Sequence, residues 1–111
     1  MSLGTDELVH RVETQVPATA PLVADHVDFY EELLPHVLFG EITSWAEDEA
    51  RRDPSSPALA RLLDLLETAY VEGDDDVRNV LTVSFVENLA SPVVSLLGPQ
   101  LHALAGELGM L

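Results

Sequence analysis

Apolar residues recur every three or four positions along most of this chain, which is the spacing of one face of an α-helix. The clearest stripes lie within residues 35–52 and 57–72, where apolar residues face one way and charged residues face the other. Pro35 and Pro57 stand at the first positions of these stripes, where proline is compatible with a helix. We therefore expect an all-α fold, with residues 1–111 forming a single helical domain, a compact bundle of about six helices.

The segment from Val77 to Leu89 differs, because its apolar residues fall on nearly all sides of a helical wheel. A helix that is apolar all round is usually buried. The stretch LTVSFV also alternates as a β-strand would, but three aspartates precede it in a helix-start position and favour a helix. We expect Val77 to Leu89 to be the buried central helix, with the helices around Trp45 and Leu62 packed on it.

One side of this central helix carries three polar residues, namely Ser84, Glu87 and Asn88. A buried carboxylate without a partner is strongly destabilised or takes up a proton. Glu87 is therefore predicted to be buried with a hydrogen-bonded partner, namely Trp45, His36 or a group near Arg78. A structural role for Glu87 is favoured, although a binding or catalytic role would use a carboxylate of the same kind.

Capping residues indicate where several helices begin. Thr5 can cap the first helix, Ser56 a helix near the middle of the chain, and the aspartates at 74–76 the central helix. Gly73 fits a left-handed residue just past the end of the preceding helix. The three aspartates lack the spacing of a calcium-binding EF-hand loop, so capping is their favoured role.

The chain is strongly acidic, with 20 Asp and Glu residues against 5 arginines, no lysine and a net charge of −15. Nucleic acids and anionic membranes are therefore poor partners, because each requires a basic surface. Acidity of this degree fits either a solvated surface or the attraction of a basic protein. The N-terminus does not resemble a signal peptide and no apolar run makes a comfortable membrane span, so a cytoplasmic protein is expected.

The sequence lacks the residues of the commonest catalytic designs. It has no cysteine, no G-x-S-x-G elbow around a serine nucleophile and no glycine-rich phosphate loop. The four histidines form no spaced pair of metal ligands, so neither a metal nor a cofactor is expected. Glu41 and Glu87 can form a carboxylate pair in principle, but the Glu-x-x-His motif of dimetal bundles is missing.

Three motifs occur in order along the chain, namely LLPH followed by a tryptophan, SFVENL, and LLGP. Together they resemble a family of small uncharacterised bacterial all-helical domains, over roughly Ala24 to Leu104. The resemblance implies an all-α fold and brings no established activity. It also marks the candidate binding residues, which are His36, Glu41, Trp45, Glu87 and Asn88.

Two functions are consistent with these features. The first is a non-enzymatic, acidic protein-interaction domain, such as an inhibitor or immunity-type protein that covers a basic partner. The second is a small enzyme or ligand-binding helical bundle with a pocket around Glu41, Glu87 and His36. The acidic composition and the lack of catalytic motifs favour the first function.

The C-terminal part of the chain is nearly uncharged, since only two formally charged side chains occur from Asn79 to Leu111. Its last helix places Leu101, Leu104 and Leu108 on one side. Apolar surface of this extent is expected to exceed what one small core covers. We therefore expect a homodimer through the C-terminal segment, centred on these three leucines.

Overall fold

The structure is a computed structural model that describes residues 2–111 of the chain. Within this range seven α-helices follow one another and no β-strand is formed, so the predicted all-α fold is confirmed. The helices are α1 (Thr5–Gln15), α2 (Ala20–Tyr30), α3 (Pro35–Arg52), α4 (Pro57–Glu72), α5 (Asp75–Val80), α6 (Ser91–Val94) and α7 (Pro99–Glu107). None of the helices in this range combines the length and hydrophobicity that crossing a membrane requires.

Side-chain caps hold two helix starts where the sequence predicts them. Ser56 Oγ accepts the N–H of Leu59 at 3.2 Å at the start of α4. Asp74 Oδ1 accepts the N–H of Val77 at 2.9 Å at the start of α5. The predicted Thr5 cap is wrong, because Thr5 is already the first helical residue and the preceding glycine has no side chain to cap α1.

Gly73 is required for close packing rather than for a left-handed backbone. Its φ is −73°, so the prediction of a left-handed residue is wrong. A Cβ atom at Gly73 would lie 2.4 Å from Cγ1 of Val77 and 2.6 Å from the carbonyl oxygen of Ala69. Both distances are too short for non-bonded atoms. The turn between α4 and α5 therefore requires glycine, the residue without a side chain.

The predicted central helix is not α-helical throughout, because its helical type changes after α5 ends at Val80. A π-helical segment, Leu81–Phe85, and a 3₁₀ turn, Val86–Asn88, follow α5 without a break. A π-helix turns less per residue than an α-helix, so the five residues fall behind an α-helical wheel by roughly 100°. That lag moves Glu87 away from the buried side and into solvent. The predicted burial of Glu87 is therefore wrong, while the apolar side chains of this segment except Val83 are buried as expected.

The buried apolar side chains form one cluster that reaches from Leu3 to Ala105. Helix α3 packs along the π-helical segment, α4 packs on α7, and α1 contacts α2, α4 and α5. Phe39 of α3 and Phe85 of the π-helical segment are its largest fully buried side chains. Packing of this kind puts the segment around Val77 to Leu89 at the centre of the bundle.

The last helix lies within this core. Leu101 is fully buried, Leu104 is buried and Leu108 packs partly buried against the cluster. These leucines therefore cannot form the centre of a homodimer interface, as the sequence predicted, unless α7 leaves the core. The reason is that α4 covers the apolar face of α7 within the same chain.

Candidate functional site

An exposed pair of aromatic side chains lies at the end of α2. Phe29 is 79% exposed, and its ring meets that of Tyr30 edge to face, with centroids 4.8 Å apart and planes at 78°. Leaving a phenylalanine in water forgoes about 1.5–3 kcal/mol of burial. Exposed apolar side chains that cluster in this way mark candidate contact surfaces.

A cavity of about 460 Å³ lies beside this pair, and we call it the acidic aromatic pocket. Its lining residues are Leu22, Asp25, His26, Phe29, Tyr30 and Glu41. Helix α2 supplies five of them and α3 supplies Glu41. Two carboxylates and two aromatic rings therefore share one opening, a combination that suits a cationic group.

His26 is the buried member of this pocket, with 2% of its surface exposed. Its Nε2 accepts the backbone N–H of Leu34 at 3.0 Å, just before α3 begins. Because Nε2 accepts a hydrogen bond, the proton of the neutral imidazole lies on Nδ1. Nδ1 in turn lies 3.2 Å from Oε2 of Glu41. His26 therefore links the loop before α3 to a carboxylate on α3.

The contact between His26 and Glu41 is short but poorly aligned. Although 3.2 Å separates Nδ1 from Oε2, Nδ1 has no hydrogen-bond partner within residues 2–111. A buried N–H without an acceptor costs about 1–3 kcal/mol. The Glu41 side chain is 40% exposed and can rotate, whereas the His26 ring is enclosed. Glu41 is therefore the partner whose adjustment would complete the bond.

The stretch of chain that forms the pocket is anionic and contains no arginine or lysine. Residues 12–50 contain no lysine and no arginine. The carboxylates between residues 25 and 41 are Asp25, Asp28, Glu31, Glu32 and Glu41. All of these except Glu41, which is half-buried, are exposed. The end of α2, the loop and the first turns of α3 thus attract cations.

His36 belongs to a different place on the surface. Its Nδ1 lies 2.7 Å from Ser84 Oγ, and its Nε2 lies 3.5 Å from Nδ2 of Asn79. Thr43 Oγ1 also donates to the Ser84 carbonyl at 2.9 Å. Ser84 is buried, and these bonds tie α3 to α5 and to the π-helical segment. His36 lines a cavity of about 250 Å³ with Thr5, Pro35, Asp76, Asn79 and Val80.

The remaining predicted site residues do not join either cavity. Glu87 is exposed, so its predicted contact with Trp45, His36 or the neighbourhood of Arg78 is wrong. Trp45 is partly buried against the core. Asn88 Nδ2 donates to the carbonyl of Val83 at 3.2 Å, which satisfies part of the π-helical backbone.

The sequence predicted one pocket around Glu41, Glu87 and His36, but these three residues do not lie around one pocket. Glu41 and His36 line two different cavities, and Glu87 lines neither of them. In the part of the chain that the structure describes, no group of three or more His, Asp or Glu side chains is placed to hold a metal ion.

Sequence reasoning missed most of the acidic aromatic pocket. Of its lining residues only Glu41 was a candidate, whereas His26, Phe29 and Tyr30 were not. The available signal was the stretch DHVDFYEE, in which aromatic residues stand among carboxylates without a neighbouring cation. Aromatic residues on an anionic surface are typical of a contact for a cationic partner.

Comparison with known proteins gives a family for the chain. A family model described as a domain of unknown function (DUF7674) matches residues 9–107. No curated protein and no solved structure matches the chain. The matched range includes the acidic aromatic pocket and the π-helical segment. The chain therefore belongs to DUF7674, a family of domains of unknown function.

Proposed function

We propose that this protein is a non-enzymatic interaction domain that binds a basic protein through the acidic aromatic pocket and the carboxylates around it. The observation that carries the proposal is the exposure of Phe29, 79%, within a region that has no lysine or arginine. An aromatic contact residue in that setting matches a partner that supplies the missing cations.

Charge and aromatic surface have different parts in such binding. The net charge of −15 attracts a basic partner over a distance and raises the association rate, an effect that salt weakens. Once the partner has arrived, buried aromatic side chains supply much of the binding free energy at an interface. Phe29 and Tyr30 are the aromatic side chains placed for that contact.

An inhibitor or immunity-type protein is the form of this function that we favour. A small acidic domain of this kind acts by covering the basic surface of its partner, without a catalytic group of its own. The bacterial origin implied by the motif resemblance fits such a role. The alternative, a small enzyme or ligand-binding bundle, has less support because Glu41, Glu87 and His36 lie at separate places.

The test is a capture experiment on an extract of the source organism, followed by titration of the purified partner. Wild-type protein, Phe29→Ser and the control Val71→Ser are immobilised in parallel. Val71 is an exposed apolar residue on α4, outside the pocket, so its replacement matches the chemistry of the test variant.

We expect a basic partner whose affinity falls as salt is raised. Phe29→Ser should weaken binding about tenfold or more, while Val71→Ser should bind as the wild type does. An acidic or neutral partner, or equal binding by Phe29→Ser and the wild type, would show the proposal to be wrong.

A further inference from the structure

We propose that the acidic aromatic pocket binds a single arginine side chain of the basic partner. The guanidinium would lie against the rings of Phe29 and Tyr30 and donate to the carboxylates of Asp25 and Glu41. This inference rests on the proposed function, and it adds the chemical group that the pocket recognises.

The carboxylates provide the first argument. Asp25 and Glu41 both line the cavity, one from α2 and one from α3. Oε2 of Glu41 lies beside Nδ1 of His26, and both carboxylate oxygens keep a lone pair for a ligand. A guanidinium donates two parallel N–H groups to a carboxylate, which fixes both position and orientation. Since residues 12–50 hold no lysine or arginine, no such group from this stretch of the chain competes for these carboxylates.

The aromatic rings provide the second argument. The rings of His26, Tyr30 and Phe29 follow one another with centroid separations of 4.8 Å, and the last two stand nearly perpendicular. Two perpendicular rings form a corner that offers a face to a flat cation. The chain already contains one such contact, because the guanidinium carbon of Arg78 lies 5.8 Å from the centroid of Tyr70.

The unpaired Nδ1 of His26 is a third observation, and it concerns the same carboxylate of Glu41. This N–H is buried, lies beside the pocket and lacks an aligned acceptor among the described residues. A guanidinium that holds the Glu41 carboxylate in one plane would bring Oε2 into line with Nδ1–H. His26 is therefore a positioning residue, which acts on the ligand through Glu41.

Arginine suits the pocket better than lysine does. The guanidinium is flat, stacks on aromatic rings and matches a carboxylate with two donors. The ammonium group of lysine is a compact and strongly hydrated charge that gains less from either feature. Preference for arginine over lysine is therefore the distinguishing property of the proposed site.

The experiment titrates the full-length ¹⁵N-labelled protein with three blocked tripeptides, followed by NMR. Each peptide has the form acetyl-Gly-X-Gly-amide, where X is arginine, lysine or citrulline, the neutral isostere of arginine. The arginine peptide should shift the signals of Phe29, Tyr30 and Glu41 and bind at least about threefold more tightly than the lysine peptide. Citrulline, which lacks the charge, should not bind measurably.

Variants assign the contacts. Glu41→Gln keeps the shape of the side chain but loses its charge, so the arginine peptide should bind about tenfold more weakly. Glu107→Gln on α7 removes an exposed carboxylate outside the pocket and should bind as the wild type does. The Nδ1 proton of His26 should move downfield on addition of the arginine peptide in the wild type and stay in place in Glu41→Gln.

The outcomes separate this inference from the proposed function. Equal affinities for the arginine and lysine peptides, or NMR signal shifts only outside the pocket, would overturn the arginine site. The proposed function, binding of a basic protein, would not be affected. The arginine peptide could bind in the pocket while the captured partner binds Phe29→Ser as tightly as the wild type. That result would support the arginine site and overturn the proposed function.

Discussion

Glu67 on α4 accepts the backbone N–H of Leu101 on α7 at 3.0 Å, and so caps a helix that begins 32 positions after it in sequence. The same carboxylate accepts the N–H of Gln100 at 2.5 Å. A negative charge at this end of a helix satisfies unpaired N–H groups and complements the helix dipole. The approach is close, since a Cβ at Gly98 would lie 2.9 Å from Cδ of Glu67.

Replacing this carboxylate should destabilise the protein. Glu67→Ala leaves two backbone N–H groups of α7 without their acceptor, so the free energy of unfolding should fall by about 1–2 kcal/mol. Glu67→Gln keeps an acceptor oxygen and should lose less. Urea unfolding followed by circular dichroism measures both, with Glu107→Ala as a control that should unfold as the wild type does. An unchanged midpoint in Glu67→Ala would contradict the capping role.

His26→Ala should be among the most damaging single substitutions outside the apolar core. It removes the acceptor of the Leu34 N–H and leaves a cavity where a buried ring was, which together cost about 2–4 kcal/mol. His102 is exposed, so His102→Ala should change stability by less than about 0.5 kcal/mol. Thermal unfolding of the two variants beside the wild type makes the comparison, and similar melting temperatures for both would refute it.

Glu87→Ala should leave the fold and its stability unchanged, within about 0.5 kcal/mol, because the side chain is exposed. This expectation reverses the one drawn from the helical wheel, which placed Glu87 in the core. Urea unfolding decides between them. A loss of about 3 kcal/mol would mean that Glu87 is buried with a partner.

The homodimer through the C-terminal segment stays a prediction, but its contact residues must change. The exposed apolar side chains of this segment are Val83, Leu96 and Leu111, the last of them 66% exposed. Salt screens the repulsion between two acidic chains, so the dimer should be more stable at about 500 mM than at about 50 mM salt. Light scattering measures the mass, and a monomer at both salt concentrations would exclude the dimer.

Variants locate that interface. Leu96→Asp places a charge at one of these exposed apolar positions and should shift the protein towards monomer. Val71→Asp places the same charge on an exposed position of α4 and should leave the mass unchanged. An equal effect of both variants would point to added charge, rather than to a C-terminal interface, as the cause.

The helices and two of their caps were predictable because their causes are local. The periodicity of apolar residues identifies α3 and α4. Ser56 and Asp74 are recognisable as caps because each has a side-chain oxygen that accepts the backbone N–H of the residue three positions later. The acidic aromatic pocket was not predictable in the same way. The apolar character of Phe29 gives no sign that its ring lies in solvent, because that exposure depends on the path of the whole chain.

One contact that the sequence analysis missed and one prediction that was wrong have tertiary causes. The sequence around Glu41 and around His26 does not indicate that the two side chains come together. Their contact depends on how the loop between α2 and α3 places the two helices. The error at Glu87 came from assuming one helical type throughout, whereas packing against α3 accompanies a π-helical segment.

The π-helical segment contains one residue more than an α-helix would need to give the following side chains the same orientation. Deleting the exposed Val83 would let an α-helix run from α5 towards Val86 and would keep every later side chain on its present side. In α4, which has no such segment, the same deletion would turn all later residues by about 100° and bury charged ones. A chain one residue shorter in Leu81–Phe85 can therefore keep this fold, and length at this point is not fixed by the core.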